Sequence, residues 1–295
     1  MGKDLAEQFP SARAVFEQAD ALLGYSLSRL CWEGPAEMLT RTEHCQPALY
    51  VTSLAVLAAL ESERKAPLQP AAAAGLSLGE YTALASAGAV SFADGLRLVR
   101  LRGQAMEEAA KTHPGTMASV LGLELELLEA VCAETGAQVA NLNSPGQIVI
   151  SGDLSSVEAA SAKAKERGAK RVIPLKVGGA FHSRCMQPAA ARLQEALGSV
   201  EVRSPSFPVL SNVTGRPHGV PAEIRRLLVD QLTQPVQWVA CMQALAALGI
   251  RAGLEMGSGS VLKGLFRKFD PEFSVHSAGT ADQVRETAAV LAAGG

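Results

Sequence analysis

Apolar residues recur at helical spacing from the start of the chain. Leu5, Phe9, Ala12, Val15, Phe16 and Ala19 fall on one side of a helix over residues 3–23, and Gly24 ends it. A short helix follows over residues 27–32, and Gly34-Pro35 breaks the chain. Residues 47–62 read as a long apolar helix with Pro47 in its first turn, where the missing N–H costs nothing. The small apolar run over residues 71–75 suits a tightly packed strand. Helical patterns resume at residues 80–85 and at 93–110, the latter carrying Arg97, Arg100 and Arg102.

The pattern changes at Gly115. Strands are expected over residues 117–123, 139–143, 148–151 and 171–177, with helices over 126–134 and 157–167. The order β-α-β-β-α-β is that of the split βαβ, ferredoxin-like unit. Residues 115–177 therefore read as a small ferredoxin-like subdomain inserted into a large α/β subdomain formed by 1–114 and 178–295. In the second part of the large subdomain, helices are expected over 186–197, 222–231 and 236–248, with a strand over 209–213. A short strand over 253–256 leads to a helix from Val261. The expected fold class is α/β, the large part being α/β-hydrolase-like on a parallel sheet. Gly257 and Gly259 hint at a dinucleotide-binding turn, but no βαβ unit with an acidic ribose partner follows, so the turn reads as a plain one.

Composition narrows the function more than the fold. At 295 residues the chain can bury a full core, and 48% apolar residues make it globular rather than disordered. A net charge of −2 gives no reason to expect nucleic acid or a membrane surface as partner. The apolar stretch over 48–60 is too short to span a bilayer and Glu61 ends it. The opening residues carry no signal-peptide pattern. Five scattered cysteines without a C-x-x-C read as reduced thiols, and the expected location is cytoplasmic. His44-Cys45 and His182 with Cys185 are too few ligands for a zinc site, so no metal is expected.

The chemistry centres on Gly75-Leu76-Ser77-Leu78-Gly79, a G-x-S-x-G between a strand pattern and a helix pattern. Such a turn presents a serine oxygen at the carboxyl edge of a sheet. The flanking glycines are expected because side chains there would clash. Leu78 has its N–H free at the helix start and could face an oxyanion, and Glu80 lies at the positive end of the helix. The motif alone is a weak signal; its context makes Ser77 the candidate nucleophile. A serine needs a base. His44, His113 and His218 sit beside a helix start, a proline and a Pro/Gly turn, and are expected to be solvated. His182, in Gly-Gly-Ala-Phe-His-Ser, is the candidate base, with a structural histidine as the alternative.

Five segments, in order, resemble the malonyl-CoA:acyl carrier protein transacylase family. They are Gly-Leu-Ser77-Leu-Gly-Glu-Tyr, Leu101-Arg102-Gly-Gln-Ala-Met106, Asn141 through Gly152, Gly-Ala-Phe181-His182 and Gln231-Leu-Thr-Gln-Pro-Val-Gln-Trp238. The resemblance covers nearly the whole chain. It implies that Ser77 is acylated and that His182 serves as base and then as acid toward the leaving thiol. It implies that a backbone carbonyl at Gln231, rather than a carboxylate, orients His182. Arg102 would bind the malonyl carboxylate, which suits a planar guanidinium, although a solvated helix arginine is the alternative. Met106 would line the acyl pocket, and Phe181 would exclude an α-methyl group; a core phenylalanine is the alternative there. Malonyl-CoA and acyl carrier protein are the implied partners, with no metal or redox cofactor and a monomeric chain. Lys176, Arg184, Lys263, Arg267 and Lys268 are candidates to meet an acidic carrier.

One departure from the resemblance carries an expectation. The family pattern opens with a buried strand and a Phe-Pro-Gly-Gln-Gly-Ser-Gln turn, whereas this sequence opens at Met1-Gly2-Lys3, already at the first helix. Residues 71–74 are therefore expected to be more exposed than a central strand, and the oxyanion hole to hold only the Leu78 N–H. Three other readings stay open at this point, the first a polyketide-synthase-associated acyltransferase on the same fold. An acyl hydrolase on the same fold would give Arg102 nothing to bind, and a non-catalytic carrier-binding module would not acylate Ser77.

Overall fold

The computed structural model describes residues 1–293. The chain begins with α1 (Lys3–Gln8), α2 (Pro10–Leu23), α3 (Leu27–Glu33), α4 (Ala36–Thr40) and α5 (Thr42–Arg64). The single helix expected over residues 3–23 is two. Phe9 is extended (φ −122°, ψ 110°) ahead of Pro10, because the proline ring crowds a helical residue before it. The long helix starts at Thr42 rather than at Pro47, so the proline lies inside it. α5 is the axis of the large core. Tyr50, Val51, Ala55, Val56, Ala59 and Leu60 on it are fully buried, against Phe16 of α2 and, from the later helix α7 (Phe92–Thr112), Leu96 and Val99. Burying each such large apolar side chain contributes about 1.5–3 kcal/mol before entropy is counted.

Between α5 and α7 lies α6 (Leu78–Ser86). Then come β1 (Gly115–Leu121), α8 (Leu125–Thr135), β2 (Gln138–Ser144), β3 (Gln147–Asp153), α9 (Leu154–Glu166) and β4 (Arg171–Pro174). The four strands form one antiparallel sheet in the order β2-β3-β1-β4, with Val120 facing Ile148 on one side and Val172 on the other. α8 and α9 cover one face, where Ala118, Val120, Leu128, Val131, Ile150, Val157 and Ala160 make a core of their own. The opposite face presents Met117, Ala140 and Val149, and Phe181 packs on it. This second face turns the sheet toward the site described below.

The chain continues through α10 (Gln187–Gly198), α11 (Pro221–Asp230), α12 (Trp238–Ala247), β5 (Ala252–Met256), α13 (Val261–Phe269), β6 (Ser274–Ala278) and α14 (Ala281–Ala293). The parallel sheet expected in the large part is narrow. Among the described residues it consists of β5 paired with β6, while the strands expected over 71–75 and 209–213 reduce to a parallel bridge between Ala73 and Val209. Alanines bring little cross-strand side-chain area, and area of that kind is what stabilises strand pairs. Ala71 is exposed and Ala72, Ala73 and Ala74 are half-buried, matching the exposure expected of this segment. The helix expected from Val236 starts at Trp238, because Val236 pairs in parallel with Asn141 at the end of the small sheet. β6 and α14 have no counterpart in the sequence expectations. Among the described residues no helix is long and apolar enough to cross a membrane.

Candidate active site

The turn into α6 holds Ser77 in a rarely adopted conformation, φ 52° and ψ −100°. His182 is likewise left-handed, at φ 56°. Non-glycine residues at such angles cost on the order of 1–3 kcal/mol each and persist only where the surroundings fix them. The surroundings here do so. The Ser77 N–H donates to Asn212 Oδ1 at 2.5 Å, Asn212 Nδ2 donates to the Gly75 carbonyl at 2.8 Å, and Gln231 Nε2 donates to the Ser77 carbonyl at 2.9 Å. Only one flanking glycine is needed for space. A Cβ on Gly75 would collide with the backbone of Gly79, whereas a Cβ on Gly79 would meet nothing. The clash expected on both sides is thus confined to Gly75.

Ser77 Oγ lies 2.9 Å from His182 Nε2, and His182 Nδ1 lies 2.7 Å from the Gln231 carbonyl. A carbonyl only accepts, so Nδ1 carries the proton and Nε2 presents its lone pair to the serine. Burial first, and then the Arg102 charge, lower the His182 pKa to about 4, against a smaller raising effect of the Gln231 carbonyl. A neutral histidine at ordinary pH can take the serine proton. The Leu78 N–H has no intrahelical acceptor at the first position of α6, and none of the loop hydrogen bonds uses it. It is free to meet an oxyanion.

Arg102 is 1% exposed, not solvated. Its Nη2 donates to Ser77 Oγ at 2.9 Å and to Gln231 Oε1 at 2.8 Å; its Nη1 donates to Gln46 Oε1 at 2.8 Å. The Tyr81 ring lies under the guanidinium at 5.4 Å. Burial lowers the arginine pKa and raises that of Tyr81. Met106, on the next turn of α7, is buried with its sulfur 3.3 Å from Gln46 Nε2. Phe181 is half-buried beside His182 and packs against both the small sheet and the large core. The structure therefore brings Ser77, Leu78, Arg102, Met106, Phe181, His182 and Gln231 to one place. Lys176, Arg184, Lys263, Arg267 and Lys268 are all exposed, and Arg184 and Lys268 already bond to Gly136 and Gln147.

Sequence reasoning missed a layer behind these groups. His218, expected to be solvated, has a fully buried side chain whose Nε2 lies 2.7 Å from Glu80 Oε1. A Pro/Gly turn looks solvated in sequence, but this one folds back under α6. His44 is also half-buried, edge-on to Tyr25, while His113 is exposed. The second Glu80 oxygen accepts from the Asn212 N–H at 3.1 Å and from Gln231 Nε2 at 2.6 Å. Glu80 did carry a signal, being a lone carboxylate in the apolar run Leu78 to Ala85; so did Asn212, polar within Val209 to Val213. His218 and Gln46 carried none. Removing Glu80 would leave three buried donors unpaired, each costing about 1–3 kcal/mol. Glu80→Ala is expected to lower the unfolding free energy by about 3 kcal/mol or more, read as a fall in the urea midpoint. An unchanged midpoint would show that the buried carboxylate does not hold the elbow together.

A strained serine, a neutral histidine held by a carbonyl, a free N–H and a buried arginine form a site equipped for acyl transfer through a serine oxygen. An α/β chain carrying it falls in the class of acyltransferases. The chain belongs to the acyl transferase domain family, whose model matches residues 1–291. It is 46% identical over 273 residues to the malonyl CoA-acyl carrier protein transacylase of Bacillus subtilis (strain 168), covering 91% of this chain and 85% of that protein. The crystal structure of an acyl-carrier-protein S-malonyltransferase from Bartonella henselae superposes with a TM-score of 0.93 at 41% identity, covering 99% of this chain and 95% of the other. A malonyl-transacylase solved in complex with a type II polyketide acyl-carrier protein gives 0.92 at 37% identity, with 96% and 93% covered.

Proposed function

We propose that the protein transfers a malonyl group from malonyl-CoA to the phosphopantetheine thiol of acyl carrier protein, for fatty acid biosynthesis, through a seryl ester. The observation that carries this reading is the buried Arg102 beside Ser77 Oγ, held only by neutral acceptors. Such a cation favours an acyl group that brings its own carboxylate; a hydrolase of neutral acyl chains has no use for it. The names of the relatives above agree with that choice, and the solved complex supports a carrier protein as partner.

In the first half-reaction Ser77 Oγ attacks the thioester carbonyl carbon while its proton passes to His182 Nε2. The Leu78 N–H meets the oxyanion, the C–S bond breaks, and His182 returns the proton to the departing coenzyme A sulfur. In the second half, the carrier thiol gives its proton to His182 and attacks the seryl ester, and Ser77 Oγ leaves with that proton. Gln231 orients His182 through its carbonyl, Arg102 pairs with the malonyl carboxylate, and Met106 and Phe181 shape the acyl pocket. We also read residues 115–177 as a ferredoxin-like subdomain set into the larger catalytic part, supported by its separate core.

The test is transfer of radiolabel from malonyl-CoA to a purified carrier protein, followed as a function of pH. Protonation of His182 removes the base, and its pKa is lowered from 6.5 to about 4. Transfer is therefore expected to persist below pH 6.5 and to fall only as pH approaches about 4. Label remaining on the enzyme, or released as free malonate at the rate of thioester loss, would refute the assignment.

A further inference from the structure

Every polar group on the Arg102 guanidinium is neutral. Gln46 Oε1 holds Nη1, and Gln231 Oε1 and Ser77 Oγ share Nη2. Nε is buried without a partner. Among the described residues no carboxylate forms an ion pair with Arg102; the buried carboxylate of this region, Glu80, is turned to His218, Asn212 and Gln231. Glu80 acts on Arg102 only at a distance, and a buried cation with no anion in contact is costly; an arriving anion offsets part of that cost.

Gln46 is the clamp that sequence reasoning passed over. It is 6% exposed and sits one residue before the proline inside α5. Its orientation follows from chemistry: a guanidinium has no acceptor, so the amide oxygen faces Arg102 and the amide nitrogen faces Met106 Sδ. A glutamate has nearly the same shape. At this position it would put a charge where glutamine puts a dipole.

We propose that Gln46 is a specificity-determining residue, whose neutral amide fixes one end of Arg102 without neutralising it and so reserves the arginine's charge for a carboxylate on the acyl group. The inference rests on the reading that Arg102 receives the malonyl carboxylate. Gln46 acts through Arg102 and is a positioning residue. Gln46→Glu places an internal carboxylate on the guanidinium, where it competes with the one that substrate brings.

The experiment compares acylation of Ser77 by malonyl-CoA and by acetyl-CoA, in single turnover by intact mass, for wild type, Gln46→Glu, Gln46→Leu and Arg102→Ala. Gln46→Glu is expected to lower the malonyl-to-acetyl ratio of kcat/KM by roughly 100-fold, the range reached when a buried charge pairing is disrupted. Gln46→Leu keeps the charge and loses one acceptor, so its ratio is expected to fall by less than about tenfold. A merely structural role would lower both acylations in step. That outcome, or an unchanged ratio in Gln46→Glu, overturns the inference. Should Gln46→Glu not fold, Gln46→Leu decides: a ratio as low as that of Arg102→Ala would show that neutrality is not the point. The parent reading fails separately, if wild type is not malonylated on Ser77 or if Arg102→Ala keeps the wild-type ratio.

Discussion

Ser77→Ala is expected to abolish the covalent malonyl-enzyme formed on incubation with malonyl-CoA, as seen by intact mass. Alanine removes the one oxygen that lies within 2.9 Å of both His182 Nε2 and Arg102 Nη2. Cys31, Cys132 and Cys241 are buried, and burial raises their thiol pKa values, those of Cys31 and Cys132 to about 11. The partner change, His182→Ala, leaves the hydroxyl without a proton acceptor. A positioned base contributes about 10²–10⁴-fold, so acylation should slow by that factor while the final mass stays the same. An acylated Ser77→Ala enzyme would place the ester elsewhere and remove Ser77 from the mechanism.

Arg102→Ala is the second large effect. A charged hydrogen bond is worth about 1.5–3 kcal/mol, and leaving a buried carboxylate unpaired costs about 3–5 kcal/mol. Malonyl kcat/KM is therefore expected to fall by on the order of 10² or more, while acetyl transfer, which presents no carboxylate, falls far less. The pH profile gives a second readout. The Arg102 charge helps to depress the His182 pKa, so without it the acid limb should move up from about 4 toward 6.5. Unchanged malonyl kinetics would mean that the carboxylate sits on another group.

The residues that the structure gathers around Ser77 Oγ could be picked out in the sequence because each has a local signature. Ser77 sits in a strand-to-helix turn between glycines, His182 follows a glycine pair, and Arg102 shares a motif with Met106. The second layer could not be read in the same way. Glu80, Asn212 and His218 matter through one another, across separations of 132 to 138 residues, and Gln46 matters through Arg102, 56 residues further on. Burial, not residue type, sets their roles, and a histidine in a Pro/Gly turn gives no hint that α6 will cover it. The fold followed the same division. The small sheet was legible because its strands alternate with helices of ordinary length, whereas residues 71–75 and 209–213, read as strands, hold a single bridge. Pro10 and Pro47 show the limit of local rules: one split a helix and the other was absorbed into one.

The spacing of the site along the chain bears on how it comes into being. Ser77 precedes its histidine by 105 residues, and the carbonyl that orients the histidine lies 49 residues further on. On a ribosome the serine emerges first, then Arg102, then the whole of the small sheet, and only afterwards the base and its support. A half-synthesised chain thus carries an oxygen that nothing deprotonates. On the mechanism proposed above, Ser77 stays inert toward thioesters until the turn after α11 has set the Gln231 carbonyl against His182.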